Sequence, residues 1–385
     1  MVHLLLGLIY VSFVSLGLPD ALLGAAWPIM YSEFGAPVSY AGIIFMIIAG
    51  GTVVSSLMSD RLLHRLGAGR VTAISVAVTA AALIGFSVSD SFGMLCLWAI
   101  PYGLGAGSVD AALNNYVALH YASCHMSWLH CMWGLGASIG PYIMGAVLTG
   151  GGHWSTGYRW IGLLQVVVTA ILFLSLPLWR SGQRKEEESG NSKPLPLKEI
   201  VRLSGVKEVM LAFFCYCALE QTTGLWASSY LVLYKGIDEE TAASFASMFF
   251  IGITAGRALN GFLTLKLSDT QLIRLGQGII AAGIGAMLLP AGEMVSLTAL
   301  VLIGLGCAPI YPCIIHATPG HFGADKSQSV IGVQMASAYI GNCIMPPLFG
   351  LVANHIHVAL LPVYLLAILV LMVLMHEGML RKCSR

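Results

Sequence analysis

Long apolar runs separated by short polar connections fill the chain from one end to the other. Runs of about 20 residues, enough for a helix to cross the hydrocarbon core of a bilayer, begin near twelve positions: Leu4, Val38, Gly69, Phe92, His125, Tyr158, Val206, Thr241, Gln271, Val295, Ser327 and Val358. The longest polar stretch, residues 181–205, is rich in charge, proline, serine and glycine, a composition that cannot build a core. The pattern predicts an all-α membrane protein with twelve transmembrane helices. They form an N-terminal six-helix bundle (1–180) and a C-terminal six-helix bundle (206–385), joined by a linker (181–205).

Composition agrees with this prediction. Of the 385 residues, 57% are hydrophobic and only 10% are charged, which excludes an ordinary soluble globular protein. The first run has no small-residue cleavage site, so we expect it to be retained rather than removed as a signal peptide. The nine cysteines form no Cys-x-x-Cys pair, and we expect neither a metal nor another cofactor. The net charge of +1, without a basic patch, points away from nucleic acid as a partner.

Positive charge is distributed unevenly between the two sides of the predicted membrane protein. If the N-terminus is cytoplasmic, every Lys and Arg falls on the cytoplasmic side except Arg159, Lys235 and Arg257, the last of which lies inside a span. Cytoplasmic loops carry such an excess of basic residues. The sequence therefore predicts a multi-pass protein of the cell membrane, plasma or inner, with both termini and the linker in the cytoplasm.

Three carboxylates, Asp20, Asp110 and Glu220, lie near the middle of apolar runs. A charged residue at a helix centre costs roughly 2.5 to 3.5 kcal/mol on insertion scales, so such groups usually face a cavity and move protons or bind solutes. Burial disfavours the ionised form of a carboxyl group, and a nearby hydroxyl or water favours it again. Proton affinity can therefore depend on whether a cavity is loaded. The alternative is a buried acid paired with a neighbour, and Arg257 is the one cation within a span.

The two halves of the chain repeat each other weakly. Asp20 is followed by Gly24 and Trp27 in the first run, and Glu220 is followed by glycine and tryptophan at similar spacing in the seventh. Glycines and prolines recur at matching places in the fourth and tenth runs and in the fifth and eleventh. Parallel-repeat transporters show symmetry of this kind, with the substrate site near the midplane.

The segment after the second run resembles a family signature. Ser56-Leu57-Met58-Ser59-Asp60-Arg61, followed by Arg65, Gly67 and Arg70, is similar to the cytoplasmic motif between helices two and three of the major facilitator superfamily, although Ser56 replaces a glycine. The resemblance spans the chain and implies the twelve-helix major facilitator fold. It also implies a cytoplasmic latch, with these predicted members: Asp60, Arg61, Arg65, Arg70 and, from a second degenerate copy, Arg257. For Arg257, neutralisation of Glu220 is the alternative.

Within the superfamily, the fucose/proton symporter branch is the most similar. Leu18-Pro19-Asp20-Ala21-Leu22-Leu23 resembles its first-helix segment, and Gly103 to Asp110 followed by Asn114 resembles its fourth helix. The resemblance implies that Asp20 and Asp110 handle protons and contact sugar. His130 and Trp133 stand where the fucose transporter has Gln and Asn, which puts fucose itself in doubt. The seventh run, with its acid Glu220, resembles that of sugar-transporting relatives in the branch that also carry an acid at this position.

These observations define two sets of candidate residues. The predicted proton-coupling residues are Asp20, Asp110 and Glu220. Asp110 and Asn114 lie one helical turn apart on one face, and aromatic faces or amides complete a possible sugar site. The predicted substrate-binding residues are Asp110, Asn114, His130, Trp133, Trp27, Gln221, Trp226, Tyr311, Gln334 and Asn342. Core packing, an interfacial belt or interhelical hydrogen bonds would explain any one of the aromatic and amide residues equally well.

Other classes of function are compatible with parts of the pattern. A proton-coupled exporter of drugs or other apolar solutes would also use an acid-lined cavity. Gly136-Ala137-Ser138-Ile139-Gly140 matches the Gly-x-Ser-x-Gly pattern of hydrolases, but that motif requires a strand-to-helix turn and here falls inside a predicted helix. A transporter-like sensor would normally add a soluble domain. The sequence favours an alternating-access, proton-coupled symporter of a sugar or similar hydroxylated solute, expected to act as a monomer and not as an enzyme.

Overall fold

The computed structural model describes residues 2–20, 22–37, 40–179, 195–237, 239–289 and 292–383. Over these ranges the chain forms helices and turns and no strand. The helices are α1 (Val2–Gly17), α2 (Leu22–Glu33), α3 (Ala41–Ser87), α4 (Phe92–His120), α5 (Ser123–Thr149), α6 (Trp154–Leu174), α7 (Leu197–Ile200), α8 (Val206–Leu233), α9 (Glu239–Leu263), α10 (Asp269–Leu288), α11 (Glu293–Cys307), α12 (Ile310–Phe322), α13 (Ala324–His355) and α14 (Leu361–Cys383), the last preceded by a 3-10 turn, Val358–Leu360. The predicted all-α fold is confirmed.

Each predicted apolar run corresponds to helix in the described chain. Nine helical segments of the described residues are long and apolar enough to cross a membrane. One of them, the 47-residue α3, covers both the second and the third predicted runs. Its one non-helical residue is Gly67, with φ 77° and ψ 159°, a conformation that glycine adopts without a Cβ penalty. Helices α8 and α9 lie on the seventh and eighth predicted runs.

The first predicted run is broken rather than continuous. Helix α1 ends at Gly17 and α2 begins at Leu22, and between them Asp20 N–H donates to the Gly17 carbonyl at 3.1 Å. Pro19 contributes to the break because it has no N–H with which to continue the helical hydrogen bonds. Asp20 therefore lies at a helix interruption, a feature that carries the substrate and ion sites of many transporters.

The described helices group into two compact units. The first contains Met1–Tyr116 and Leu129–Leu195, and the second contains Val117–Trp128 and Pro196–Arg385. The ends of α4 and α5 thus pack with the second unit, where the Ser123 hydroxyl donates to Asp269 and Asn260 Nδ2 donates to Ser127 Oγ at 2.6 Å. The linker boundaries predicted above stay a prediction, since residues 180–194 lie outside the described residues.

In the first unit, α1 and α5 approach each other at glycines. A Cβ on Gly136 would collide with the carbonyl oxygen of Val14, and one on Gly140 would collide with that of Leu18. On the other side of the contact, a Cβ on Gly17 would collide with the carbonyl oxygen of Trp133. Small residues allow such close helix contacts in membranes. The Gly-x-Ser-x-Gly sequence is therefore part of a helix interface and not of a strand-to-helix turn.

The core of the first unit is aromatic and aliphatic. Trp27, Phe86, Tyr102 and Tyr158 are buried together with the side chains of Leu22, Met30, Ile44, Leu95 and Ile161. Phe86 and Tyr158 stack with ring centroids 5.3 Å apart. This cluster fixes α4 and α6 beside the α1–α2 break.

In the second unit, ion pairs join helix ends. Lys382 Nζ donates to Glu208 Oε1 at 2.6 Å, and Arg274 pairs with both carboxylate oxygens of Glu377 at 2.7 and 2.8 Å. They tie the C-terminal end of α14 to α8 and α10.

Candidate functional site

Asp20 is held in the first unit by two neutral donors. The Tyr102 hydroxyl of α4 donates to Oδ1 at 3.0 Å, and Trp133 Nε1 of α5 donates to Oδ2 at 2.7 Å. The Asp20 side chain is solvent-accessible, Trp133 is half-buried and Tyr102 is buried. No ion pair within the described residues involves Asp20. A carboxyl group in this setting can exchange a proton with water without breaking an ion pair.

A second polar group in the first unit joins α4 and α5. Asn114 Nδ2 donates to Asp110 Oδ1 at 2.8 Å and to its carbonyl oxygen at 2.9 Å. On α5, His130 Nε2 lies 3.0 Å from Asn114 Oδ1, and the Phe13 ring meets the imidazole edge-on at 5.5 Å. Asp110, Asn114 and His130 are all buried. The structure thus brings three predicted site residues together, and the Asn114 amide already uses both its donor and its acceptor.

In the second unit, Glu220 lies beside a cation. Arg257 Nη2 is 3.5 Å from Glu220 Oε1, and the Arg257 side chain is almost fully buried. Tyr216 and Tyr311 interact with Arg257, and the Tyr311 ring centroid lies 4.6 Å from that of Phe213. Of the two alternatives for Arg257, the geometry shows the pairing with Glu220. A latch role for Arg257 remains a prediction.

The other predicted aromatic residues are occupied by packing. Trp27 is buried in the core of the first unit. Trp226 Nε1 donates to the carbonyl oxygen of Pro346 at 2.9 Å, and the Tyr311 hydroxyl lies 3.1 Å from the sulfur of Met335. Trp133 differs from these three residues because its indole N–H donates to an acid, Asp20.

The three predicted amides of the second unit have different environments. Gln334 is buried and Nε2 lies 3.1 Å from the Thr318 hydroxyl. Asn342 Oδ1 is buried with no hydrogen-bond partner among the described residues, and Gln221 is half-buried. Asn342 therefore has an unused acceptor within the described part of the chain.

Four of the predicted latch residues, Asp60, Arg61, Arg65 and Arg70, belong to α3, and the fifth, Arg257, belongs to α9. Asp60 is buried, and its Oδ1 lies 3.1 Å from Nδ1 of His64, one helical turn later. The predicted basic members on this helix are exposed: Arg61, Arg65 and Arg70. The burial of an acid at this position distinguishes it from the surface charges around it.

Comparison with known proteins identifies the family. The model of the Major Facilitator Superfamily matches residues 9–346. The chain belongs to this superfamily.

Relatives and solved structures of the superfamily match nearly the whole chain. The glucose/mannose transporter GlcP of Bacillus subtilis is 21% identical over 90% of this chain and 87% of its own length. The mouse sodium-dependent glucose transporter 1A is 22% identical, with coverage of 90% and 89%. Among structures, the E. coli fucose:proton symporter FucP gives a TM-score of 0.74 at 17% identity over 97% of this chain and 98% of its own. The proton:xylose symporter XylE gives 0.81 at 13%, over 96% and 94%. This superfamily member is a multi-pass membrane transporter and not an enzyme.

Tyr102 is the site residue of this transporter that sequence reasoning missed. It lies eight residues before Asp110 on α4, which is two helical turns, so the same face of the helix carries both. That spacing is a signal that could have found Tyr102.

Gln165 of α6 holds α1 by hydrogen bonds. Its amide and Ser15 of α1 hydrogen-bond to each other, with Ser15 Oγ 2.5 Å from Gln165 Oε1.

Proposed function

We propose that this transporter is a proton-coupled symporter of a sugar or similar hydroxylated solute. It resides in the cell membrane with both termini in the cytoplasm and acts as a monomer. The observation that carries the proposal is the setting of Asp20 at the α1–α2 break. Its carboxylate is solvent-accessible, accepts from Tyr102 and Trp133, and has no ion-pair partner in the described part of the chain.

The hydroxylated solute is supported by aromatic and polar groups of the first unit. Trp133 offers an aromatic face in the first unit, where the C–H surface of a sugar could pack. Asp110 and Asn114 form a buried acid–amide pair on one face of α4, and a sugar hydroxyl would have to replace one of its hydrogen bonds. Relatives named for glucose and mannose transport agree with a sugar as solute. His130 and Trp133, which depart from the fucose transporter, favour a solute other than fucose.

Asp20→Asn tests the role of the acid. The amide imitates a permanently protonated carboxyl group, so we expect accumulation driven by a pH gradient to be lost and equilibrium exchange of labelled sugar to persist. A thermal-shift screen of the purified protein with monosaccharides, beginning with D-glucose and D-mannose, selects the sugar for reconstituted vesicles.

Asp90→Asn is the matched control, because Asp90 is an exposed acid in the turn between α3 and α4. It should retain both activities. Undiminished uphill uptake by Asp20→Asn would eliminate the proton role, and a screen in which no monosaccharide stabilises the protein would contradict the sugar.

A further inference from the structure

The carboxylate of Asp20 is fixed by two hydrogen bonds that reach it from different helices. Tyr102 on α4 occupies one oxygen and Trp133 on α5 occupies the other. The position of Trp133 is itself set by close packing, because Gly17 of α1 lies against its carbonyl oxygen without room for a Cβ. The three residues therefore form one hydrogen-bonded group, which we name the Asp20 clamp.

We propose that Tyr102 and Trp133 are positioning residues that set the proton affinity of Asp20, and that Trp133 makes this affinity depend on the bound solute. The inference rests on the proposed function, since it assumes that Asp20 is the proton site. An ionised carboxylate accepts at both oxygens, whereas the protonated form must place its own O–H on one of them. The clamp therefore favours the ionised form.

The two donors differ in what can reach them. Tyr102 is 5% exposed and belongs to the core of the first unit, so a solute cannot displace it. Trp133 is half-buried and so partly accessible, and its indole carries both an aromatic face and the N–H that binds Asp20. A sugar that packs on this face and turns the indole removes one donor from Asp20 and so promotes protonation. By linkage, protonation then strengthens sugar binding by the same factor.

Phenol and indole groups border the Asp20 clamp. Tyr102 faces Asp20 from α4 and Trp133 faces it from α5, while Tyr158 of α6 interacts electrostatically with Tyr102. The Tyr158 hydroxyl is buried with no hydrogen-bond partner in the described ranges. No Lys, Arg or His in the part of the chain that the structure describes forms an ion pair with Asp20. A change in proton binding on removing the indole donor is therefore assigned to Asp20.

The test is a pH titration of the protonated carboxyl group by infrared difference spectroscopy, with the band assigned by its absence in Asp20→Asn. Trp133→Phe keeps an aromatic face but removes the N–H. Loss of a hydrogen bond to a charged acceptor should raise the midpoint of protonation by about one pH unit. Tyr102→Phe should move the midpoint in the same direction, which keeps the test valid if one variant folds poorly.

The chain offers a matched control for the indole donor. Trp154 Nε1 donates to Glu33 Oε2, also at 2.7 Å and also in the first unit, at the start of α6. Trp154→Phe thus removes an indole-to-carboxylate bond of the same length outside the clamp. Its midpoint should equal that of the wild type.

The solute link is measured by repeating the titration with saturating D-glucose, D-mannose or D-xylose. At least one sugar should raise the wild-type midpoint, and Trp133→Phe should lose this response. A midpoint that Trp133→Phe leaves unchanged overturns the clamp while leaving the proton role of Asp20 intact. A wild-type midpoint that none of the three sugars moves overturns the solute link. A third outcome concerns the proposed function itself. If the wild type shows no titrating carboxyl band that is absent in Asp20→Asn, Asp20 is not a proton site and the proposed function has failed.

Discussion

At the scale of single residues, the two acids at repeated positions have different partners. Asp20 in the first unit accepts from a phenol and an indole, which are neutral. Glu220 in the second unit lies 3.5 Å from the buried guanidinium of Arg257. Removing one member of a buried ion pair leaves an uncompensated charge, which is strongly destabilising. Glu220 is thus held in an ion pair, whereas Asp20 accepts from neutral donors, so we favour Asp20 as the proton site.

Asn114→Ala should weaken sugar binding. The amide connects Asp110 to His130, and its loss leaves both without their shared partner in a buried region. Removing the hydrogen-bond partner of a buried sugar hydroxyl costs about 1 to 3 kcal/mol, which corresponds to an affinity about 5- to 150-fold lower. Calorimetry with the sugar from the screen measures the change.

Asn115→Ala is the control, because the neighbouring amide is also buried but lies on another face of α4. Its effect should be confined to the melting temperature. If Asn114→Ala binds sugar with wild-type affinity, the assignment of the Asp110–Asn114 pair to the substrate is wrong.

At the scale of helices, the position of Asp20 depends on how α1 meets α5. The interruption after Gly17 leaves Leu18 and Pro19 in a turn, and Gly140 of α5 packs on the carbonyl oxygen of Leu18. One turn away, Gly136 packs on Val14 in the same manner. The two glycines bring the backbones together and so place Trp133 within reach of Asp20.

Gly140→Ala should separate these helices. The added methyl group collides with backbone, which cannot move aside as a flexible side chain would. Overpacking of this kind typically costs about 1 to 3 kcal/mol, so we expect a lower melting temperature in detergent and slower uptake.

Gly145→Ala is the matched control on the same helix, because a Cβ there meets no atom within 4 Å. Alanine is favoured over glycine in a helix by about 1 kcal/mol, so this variant should be as stable as the wild type or more so. Equal melting temperatures for Gly140→Ala and Gly145→Ala would show that the α1–α5 contact is not tight.

These helices also show what sequence reasoning could and could not predict. The spacing of Asp110 and Asn114 along one helix was sufficient to place them together, because four residues make one turn. The partners of Asp20 are 82 and 113 residues away in sequence, so their pairing with this acid follows from the packing of α4 and α5 on α1. The break at Pro19 was likewise missed, since a proline in an apolar run is compatible with a kink as well as an interruption.

At the scale of the whole molecule, the superfamily does not determine the coupling ion. Similar relatives include transporters named for sodium dependence, and similar structures include two named as proton symporters. The ion has to be argued from the oxygens that this chain offers. Sodium requires several oxygens arranged around it, often including carbonyls of an unwound helix. A proton requires one.

The oxygens at the α1–α2 break favour the proton. Both carboxylate oxygens of Asp20 already accept hydrogen bonds, and the carbonyl oxygens of Gly17 and Pro19 accept from Asp20 N–H and Leu22 N–H at 3.1 Å each. The part of α3 before Asp60 contains no carboxylate that could complete a cage.

We therefore expect sugar uptake into vesicles to rise as the external pH falls from about 8 to 6 with the internal pH held constant. The direction follows because a lower external pH steepens the inward proton gradient that drives symport. A protonophore should abolish this dependence, and replacing sodium by choline at constant pH should leave uptake unchanged. Transport that disappears in choline would establish sodium as the coupling ion. It would then direct attention to Glu220, whose carboxylate could join amide or carbonyl oxygens of the second unit.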